Sequence, residues 1–284
     1  MSLQSIATEG LPWVKAELNY LAPTHERPRT YTFDRHAGAP RTTVINDPHE
    51  VPVFDVRRAL ADLSLDEEGF GLVRHSSNVS NFYDDEEVRR IYYPEAAALL
   101  KRLTGAERVH VFDHTVRRRI PGSEDRRSDA PRQPVPRVHV DHTERSGPQR
   151  VRDLLPVEAE QLLRGRVQII NLWRPIRGPL RDAPLAVCNA RTVKQEQLVP
   201  SDLVYPDRVG ETYSVTFDRE HRWFYVPEMR PDEVLLLKCY DSDPARASFT
   251  AHSAFDHPGA PEGAPSRESI EVRTLAFFAP EGND

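Results

Sequence analysis

The chain has 284 residues, 38% of them hydrophobic, and a formal net charge of −6. This length suffices for a core that needs no disulfides, and the negative charge excludes a protein that holds nucleic acid through an excess of basic residues. The two cysteines, Cys188 and Cys239, lie in apolar runs and are expected to be buried free thiols. Met1–Pro12 lacks a signal-peptide pattern, and no stretch approaches the roughly 20 apolar residues of a membrane span. We therefore expect a soluble, cytoplasmic protein without a membrane or nucleic-acid partner.

Residues 1–108 are expected to form an extension of loops and short helices. Proline and polar residues make Thr24–Ala39 look extended, and a short helix is expected over Asp55–Leu63. A longer helical stretch is expected over Asp84–Gly105, where acidic residues come first and a glycine follows as a stop. Pro94 should break this stretch into two helices.

Residues 109–284 differ in character, because short runs rich in Val, Ile, Phe and Tyr recur between Pro, Gly and Asp turns. About eight strands at this spacing fit a sandwich or a barrel, with one helix between Pro156 and Gly165. No internal repeat or sharp composition shift appears, so we expect residues 1–284 to form a single domain, mainly β with flanking α. The predicted strands are Val109–Thr115, Val138–Asp141, Val167–Trp173, Leu185–Cys188, Tyr213–Phe217, Trp223–Val226, Val234–Tyr240 and Ile270–Phe278.

The segment Arg117–Pro136 is crowded with Arg, Asp, Ser and Pro and has few apolar residues. This composition is typical of a solvated surface loop. Since the segment leads directly into Val138, an entrance flap over a site is the alternative. Its arginines favour an anionic or carboxylated substrate.

Val138–Asp141 contains a candidate pair of metal ligands. Because residues two apart on a strand point to the same face, His139 and Asp141 can reach one ion. The pattern by itself is weak, since a chain with 11 histidines should contain on the order of one such pair by chance. His142 and Glu144 form a second pair of this kind. The alternative for either histidine is a surface or hydrogen-bonded side chain.

His252 is the candidate third ligand, because it lies among small and apolar residues near the end of the strand region. A histidine in such a place is more often a core side chain than a ligand. Its distance along the chain from His139 is nevertheless the one that a jelly-roll barrel requires. Together with Asp141, the two histidines would form the triad of non-haem Fe(II) oxygenases, which leaves coordination positions open for a bidentate cosubstrate and O₂.

Arg267 and Ser269, directly before the strand Ile270–Phe278, form a candidate anion site. They are two apart and can face one way, and a guanidinium with a hydroxyl suits the distal carboxylate of 2-oxoglutarate. The alternative for Arg267 is an ordinary surface arginine. Arg273 lies an even number of residues further along and so points to the same face as Arg267, which makes it the other candidate to bind this carboxylate. The His139 and Asp141 pair, then His252, then the Arg267 and Ser269 pair follow one another along the chain. Their order and spacing favour a non-haem Fe(II) oxygenase that uses 2-oxoglutarate.

A family resemblance is carried by short segments distributed over most of the chain, from Val53 to Phe278. These segments are Ser64–Asp66 with Gly69-Phe70, Tyr93–Glu95, Gly105-Ala106, Val111–Thr115, the motif at His139, Asn171–Pro175 with Gly178-Pro179, Asp182–Ala186, His252–Asp256 and Arg267–Arg273. The sequence resembles the family of hydroxylases and desaturases that includes gibberellin-desaturase-like fungal proteins and the cephalosporin 7-alpha-hydroxylase component. That family often has Thr where Ser253 stands, a departure that leaves the neighbouring His252 intact.

The resemblance implies a double-stranded β-helix (jelly-roll) barrel with N-terminal helical additions. It also implies a dioxygenase that uses Fe(II), 2-oxoglutarate and O₂ to hydroxylate or desaturate a small-molecule substrate, often in specialised natural-product metabolism. Within it, Asn171 is expected to hydrogen-bond the carboxylate of 2-oxoglutarate near the iron, while Trp173 packs in the core.

Two other functions stay open at this point. A cupin-like metalloenzyme would keep the metal ligands but have no use for Arg267 and Ser269. A non-catalytic accessory protein would bind a small molecule on a decayed barrel. A nucleotide-dependent methyltransferase has little support, since no glycine-rich loop follows a strand. The sequence makes no prediction of the oligomeric state.

Overall fold

The computed structural model describes residues 8–33, 35–36, 39–122 and 131–279, which form fourteen strands in two sheets. Each strand of the smaller sheet pairs with its neighbours in the antiparallel direction. The strands are β1 (Trp13–Leu21), β2 (Arg29–Tyr31), β3 (Asn46–Asp55), β4 (Phe70–Arg74), β5 (Arg108–Arg118), β6 (His139–Val140), β7 (Val167–Pro175), β8 (Leu185–Cys188), β9 (Leu198–Val204), β10 (Val209–Val215), β11 (Trp223–Tyr225), β12 (Glu233–Asp241), β13 (His252–Ala254) and β14 (Glu268–Phe277).

The larger sheet has nine strands in the order β1-β3-β11-β8-β13-β6-β10-β9-β2, and the smaller has five in the order β4-β12-β7-β14-β5. Only β9 and β10, among the described strands, are neighbours in a sheet and also consecutive in the chain; crossovers connect the other neighbouring strands. In the larger sheet β13 lies between β8 and β6, and this order brings the middle of the chain beside its C-terminal third. The two sheets curl into the jelly-roll barrel, which confirms the predicted fold class.

All nine residues of strand β7 are buried, which explains why the sequence of a central strand is apolar at successive positions. Ile169 and Trp173 belong to the core that lies between the sheets. Ile170 and Leu172 point the other way, into a second cluster that contains Leu99 of the helical stretch. A strand covered on both faces needs apolar residues at successive positions rather than at alternate ones.

All eight predicted strands are present, with ends shifted by a few residues. The predictions missed β9, β13 and the first four strands. In β1 the buried residues Ala16, Leu18 and Tyr20 alternate with more exposed ones, a period of two that is typical of a half-buried strand. Residues 1–108 therefore contribute strands to both sheets as well as loops and helices, which corrects the expectation for this segment.

The helical stretch predicted over Asp84–Gly105 is present, but Pro94 does not break it. The turn before Pro94 widens, so that the N–H of Tyr93 donates to the carbonyl of Val88, five residues back. Pro94 then lies in the first turn of the helical segment Tyr93–Thr104, where a missing N–H is tolerated. The helical segments are Val56–Asp62, Asp85–Glu87, Val88–Tyr92, Tyr93–Thr104, Ser146–Leu154, Ala159–Leu162, Ala190–Thr192 and Gln195–Gln197.

Three further expectations concern individual segments. Of the expected flap Arg117–Pro136, residues 123–130 lie outside the described residues, and Arg117 belongs to β5. Cys188 and Cys239 are free and buried, as predicted. Among the residues that the structure describes, no helix has both the length and the apolar character needed to cross a membrane.

Candidate metal centre

The larger sheet brings the three predicted metal ligands together. Strands β6 and β13 are neighbours, and His252 lies directly opposite His139. Asp141 follows β6, and its Oδ1 atom lies 3.5 Å from Nε2 of His139 and 4.0 Å from Nε2 of His252. One ligand atom from each residue lies within 4.8 Å of the others, the only such group among the described residues. The rival His142 instead lies 3.3 Å from the hydroxyl of Ser146.

Both histidines are oriented by their own strands. Nδ1 of His139 donates to the carbonyl of Arg137 at 2.8 Å, and Nδ1 of His252 donates to the carbonyl of Thr250 at 3.0 Å. These bonds fix the tautomer and leave each Nε2 lone pair directed at Asp141. Burial lowers the pKa of His139 to about 3, so this imidazole is neutral at pH 7, the form that binds a metal.

The carboxylate of Asp141 is held from the opposite sheet. Its Oδ2 atom accepts hydrogen bonds from Nδ2 of Asn171 at 2.7 Å and from Nε of Arg273 at 3.5 Å, while Oδ1 faces the histidines. Burial acts to raise the pKa of Asp141, but the charge of Arg273 and the nearby histidines hold it well below its ordinary value. The residue is therefore an ionised acceptor with one oxygen directed towards the histidines.

Asn171 and Arg273 lie opposite each other on β7 and β14 and belong to one polar network. Nδ2 of Asn171 also donates to Glu271 at 2.9 Å, and Arg273 donates to Glu271 at 3.1 Å and to Asp113 at 2.8 Å. Sequence reasoning missed Glu271 and Asp113. An acidic residue two positions before Arg273 in an apolar strand was the available signal, because the two must share a face.

Replacing Asn171 with Asp should weaken Fe(II) binding about 10- to 100-fold, the usual cost of losing a partner that orients a ligand. The new carboxylate at position 171 could no longer donate a hydrogen bond to Asp141. It would instead add a negative charge beside the carboxylates of Asp141 and Glu271. Anaerobic calorimetric titration with Fe(II) measures the affinity. Asn78→Asp is the matched control, since exposed Asn78 also donates its Nδ2 to a carboxylate, that of Glu95 at 2.8 Å. An unchanged affinity in Asn171→Asp would show that Arg273 alone orients Asp141.

Arg267 and Ser269 form the predicted pair on one face. Only 2% of Arg267 is exposed, and its guanidinium donates to Ser269 at 3.1 Å and to the carbonyl of Ala183 at 3.0 Å. It also lies over the ring of Trp173, at 4.9 Å from the centroid. In the described part of the chain no carboxylate oxygen lies within 4 Å of this guanidinium. Burial, followed by the charge of Arg117, lowers the pKa of Arg267 to about 9.

A buried cation without an acidic partner is costly, and an anion from outside the chain offsets that cost. A cavity of about 460 Å³ borders this position, since Ala183 and Ala254 both line it. Ala254 lies two residues after His252 on β13 and therefore faces the same side of the sheet. The cavity is in the size range of small-molecule sites, and its lining residues Ala183 and Ala254 connect it to the hydrogen-bond partner of Arg267 and to the strand that carries His252.

Two imidazoles and one carboxylate in a two-sheet barrel form the donor set of non-haem Fe(II) oxygenases, and the residues present fit that metal. A family model described as "Oxidoreductase/YMDC permease-like domain" matches residues 18–277. Among curated proteins, "Alpha-ketoglutarate-dependent dioxygenase phiK" of a fungal species (strain ATCC 74256) is 36% identical over 93% of this chain and 96% of the relative. "Hydroxylase/desaturase efuI" of Hormonema carpetanum is 35% identical over 94% of this chain and 96% of the relative.

Among solved structures, the iron and alpha-ketoglutarate-dependent endoperoxidase NvfI superposes with a TM-score of 0.85 at 30% sequence identity. The match covers 94% of this chain and 98% of that one. The chain belongs to the family of Fe(II)- and 2-oxoglutarate-dependent dioxygenases. It is therefore an oxidoreductase whose metal is Fe(II) and whose cosubstrates are 2-oxoglutarate and O₂.

Proposed function

We propose that His139, Asp141 and His252 hold the Fe(II), and that the enzyme hydroxylates or desaturates a small molecule of natural-product metabolism. The observation that carries the first part is the convergence of two Nε2 atoms and one carboxylate oxygen within 4.8 Å. The second part is supported by relatives that are named as hydroxylase/desaturases and as an alpha-ketoglutarate-dependent dioxygenase. When bound, the iron supplies, with 2-oxoglutarate and O₂, an oxidant able to remove a hydrogen atom from a C–H bond.

Arg267 and Ser269 are proposed to bind the distal carboxylate of 2-oxoglutarate. Their support is the buried guanidinium that has no acidic partner in the described part of the chain. Arg273, the rival anchor, already donates to Asp113 and Glu271 and lies beside Asp141, so its charge is compensated within the protein. Arg267 is therefore the better anchor.

Asn171 is proposed to position Asp141. Its Nδ2 already donates to Asp141 and to Glu271, while its Oδ1 is buried and accepts from no residue of the described chain. The amide cannot donate further without losing one of these two bonds. The sequence-based expectation that it contacts 2-oxoglutarate stays a prediction.

Anaerobic titration of the apoprotein with Fe(II) and then with 2-oxoglutarate tests this function. We expect a visible metal-to-ligand charge-transfer band after the second addition, because 2-oxoglutarate would chelate iron at the open positions. Iron binding without the band would favour a cupin-like enzyme without 2-oxoglutarate. A protein that binds no Fe(II) would contradict the proposed ligands and favour a non-catalytic accessory role.

We also propose a single domain over residues 1–284 and a cytoplasmic location. The first is supported by β1, β3 and β4, which join both sheets with strands from the rest of the chain. The second is supported by Cys188 and Cys239, which are free thiols, the usual state in a reducing compartment.

A further inference from the structure

Arg137 presents a second guanidinium without an acidic partner beside the metal centre. It lies in the extended segment before β6, two residues from His139, and residues at this spacing point to the same side. In the part of the chain that the structure describes, its guanidinium makes one long hydrogen bond, from Nη2 to Oγ1 of Thr30 at 3.4 Å. Its Nε is buried and has no hydrogen-bond partner among the described residues. The main-chain carbonyl of the same residue holds His139.

Other shielded arginines have stronger partners within the described residues. The buried Arg174, which has no carboxylate partner there, donates to the carbonyls of His75 and Pro231, and Arg267 donates to Ser269 and to the carbonyl of Ala183. The half-buried Arg57 donates to Glu233 at 2.8 Å, and the half-buried Arg166 donates to Asp241 at 2.6 Å. An arginine side chain stays protonated in proteins, so burial without a counter-charge costs free energy that a hydroxyl at 3.4 Å does not offset. Arg137 is therefore a site for an anion from outside the chain.

The anion at Arg137 is a different molecule from the one expected at Arg267. Arg267 directly precedes β14 of the smaller sheet and lies over Trp173 of β7. Arg137 lies two residues before the start of β6 in the larger sheet and extends towards Thr30 on β2. A single short dicarboxylate that chelates iron has one distal carboxylate, so it engages only one of these two guanidinium groups.

We propose that Arg137 binds a carboxylate of the substrate, and that the substrate is a hydrophobic carboxylic acid. This inference rests on the proposed function, since it assigns the second anion to the molecule oxidised at the iron. Thr30 Oγ1, which lies 3.1 Å from Oγ1 of Thr42, places hydroxyl groups beside the guanidinium. A carboxylate between them would accept charge-assisted hydrogen bonds. The cavity at Ala254 is also lined by Pro136, the residue before Arg137, and by Asn19, which pairs with Arg137, and its apolar lining residues Ile120 and Phe255 would contact the apolar part of the substrate.

The test compares cinnamic, 1-naphthoic and abietic acids with their methyl esters, which keep the shape and remove the charge. Calorimetry measures binding to the metal-free protein and to the protein loaded anaerobically with Fe(II) and 2-oxoglutarate. We expect at least one acid to bind about 10-fold or more tightly than its ester, the difference of one charge-assisted hydrogen bond. Arg137→Met should remove that preference and Arg137→Lys should retain part of it. Arg145→Met, at an arginine whose side chain is 76% exposed, is the matched control and should keep the preference.

The affinity for 2-oxoglutarate, read from the charge-transfer band, should be unchanged in Arg137→Met, which also shows that the variant is folded. Equal binding of acid and ester by the unaltered protein, binding of no acid, or a preference that survives in Arg137→Met overturns the proposal. A loss of 2-oxoglutarate binding in Arg137→Met also overturns it, because Arg137 would then serve the cosubstrate. Failure of the proposed function has a separate sign, namely no band in the unaltered protein, while acid binding to the metal-free protein still tests Arg137.

Discussion

Replacement of His139 with alanine should abolish both iron retention and turnover. The substitution removes one of two imidazoles whose Nε2 atoms face Asp141, and leaves a donor set of one histidine and one carboxylate. A pair of ligands binds a divalent metal far more weakly than a triad fixed in geometry by the backbone, as His139 is through its bond to the carbonyl of Arg137. The affected step is metal binding itself, so no concentration of 2-oxoglutarate should restore activity.

Metal content after anaerobic loading and desalting, together with succinate release, measures both effects of His139→Ala. The control is His110→Ala, which removes a half-buried histidine of β5 that lies outside the three-residue cluster. The control should retain iron. An iron-loaded and active His139→Ala protein would exclude His139 as a ligand, and His142 would become the candidate to examine.

Replacement of Arg267 with methionine should raise the KM for 2-oxoglutarate about 100-fold, or about 3 kcal/mol, the range found when one partner of a buried charge pair is truncated. Methionine fills much of the same volume next to Trp173 but carries no charge. Ser269→Ala removes only the hydroxyl that accepts from Arg267 and should have a smaller effect of about 10-fold.

The kcat of Arg267→Met at saturating 2-oxoglutarate should change much less than its KM, because the substituted group binds the cosubstrate at a distance from the iron. Steady-state succinate release over a range of 2-oxoglutarate concentrations gives both parameters. Arg267→Lys, which keeps a charge but not the planar fork, should recover part of the affinity. An unchanged KM in Arg267→Met would contradict the proposed anchor and transfer the role to Arg273.

The local pattern of the sequence was enough to predict eight of the fourteen strands that the structure describes, and the pairs of residues that share a face of a strand. Apolar runs between Pro and Gly turns predicted eight strands, and a spacing of two predicted that His139 and Asp141, and likewise Arg267 and Ser269, point the same way. These inferences depend only on the geometry of one strand. Strands β1 and β3 were missed because charged residues in both strands, and two prolines in β3, obscured the alternation that Ala16, Leu18 and Tyr20 show in β1.

Only the tertiary structure decided which side chains meet across the sheets. The register that places His252 opposite His139, and the bonds from Asn171 and Arg273 to Asp141, join residues more than a hundred positions apart or on different sheets. The partners of the three arginines were likewise not readable from spacing: Arg273 is surrounded by carboxylates, whereas Arg267 and Arg137 have none in the described chain. The physical reason is that strand periodicity specifies only a side chain's direction, whereas strand order and packing determine its charge partners and its burial.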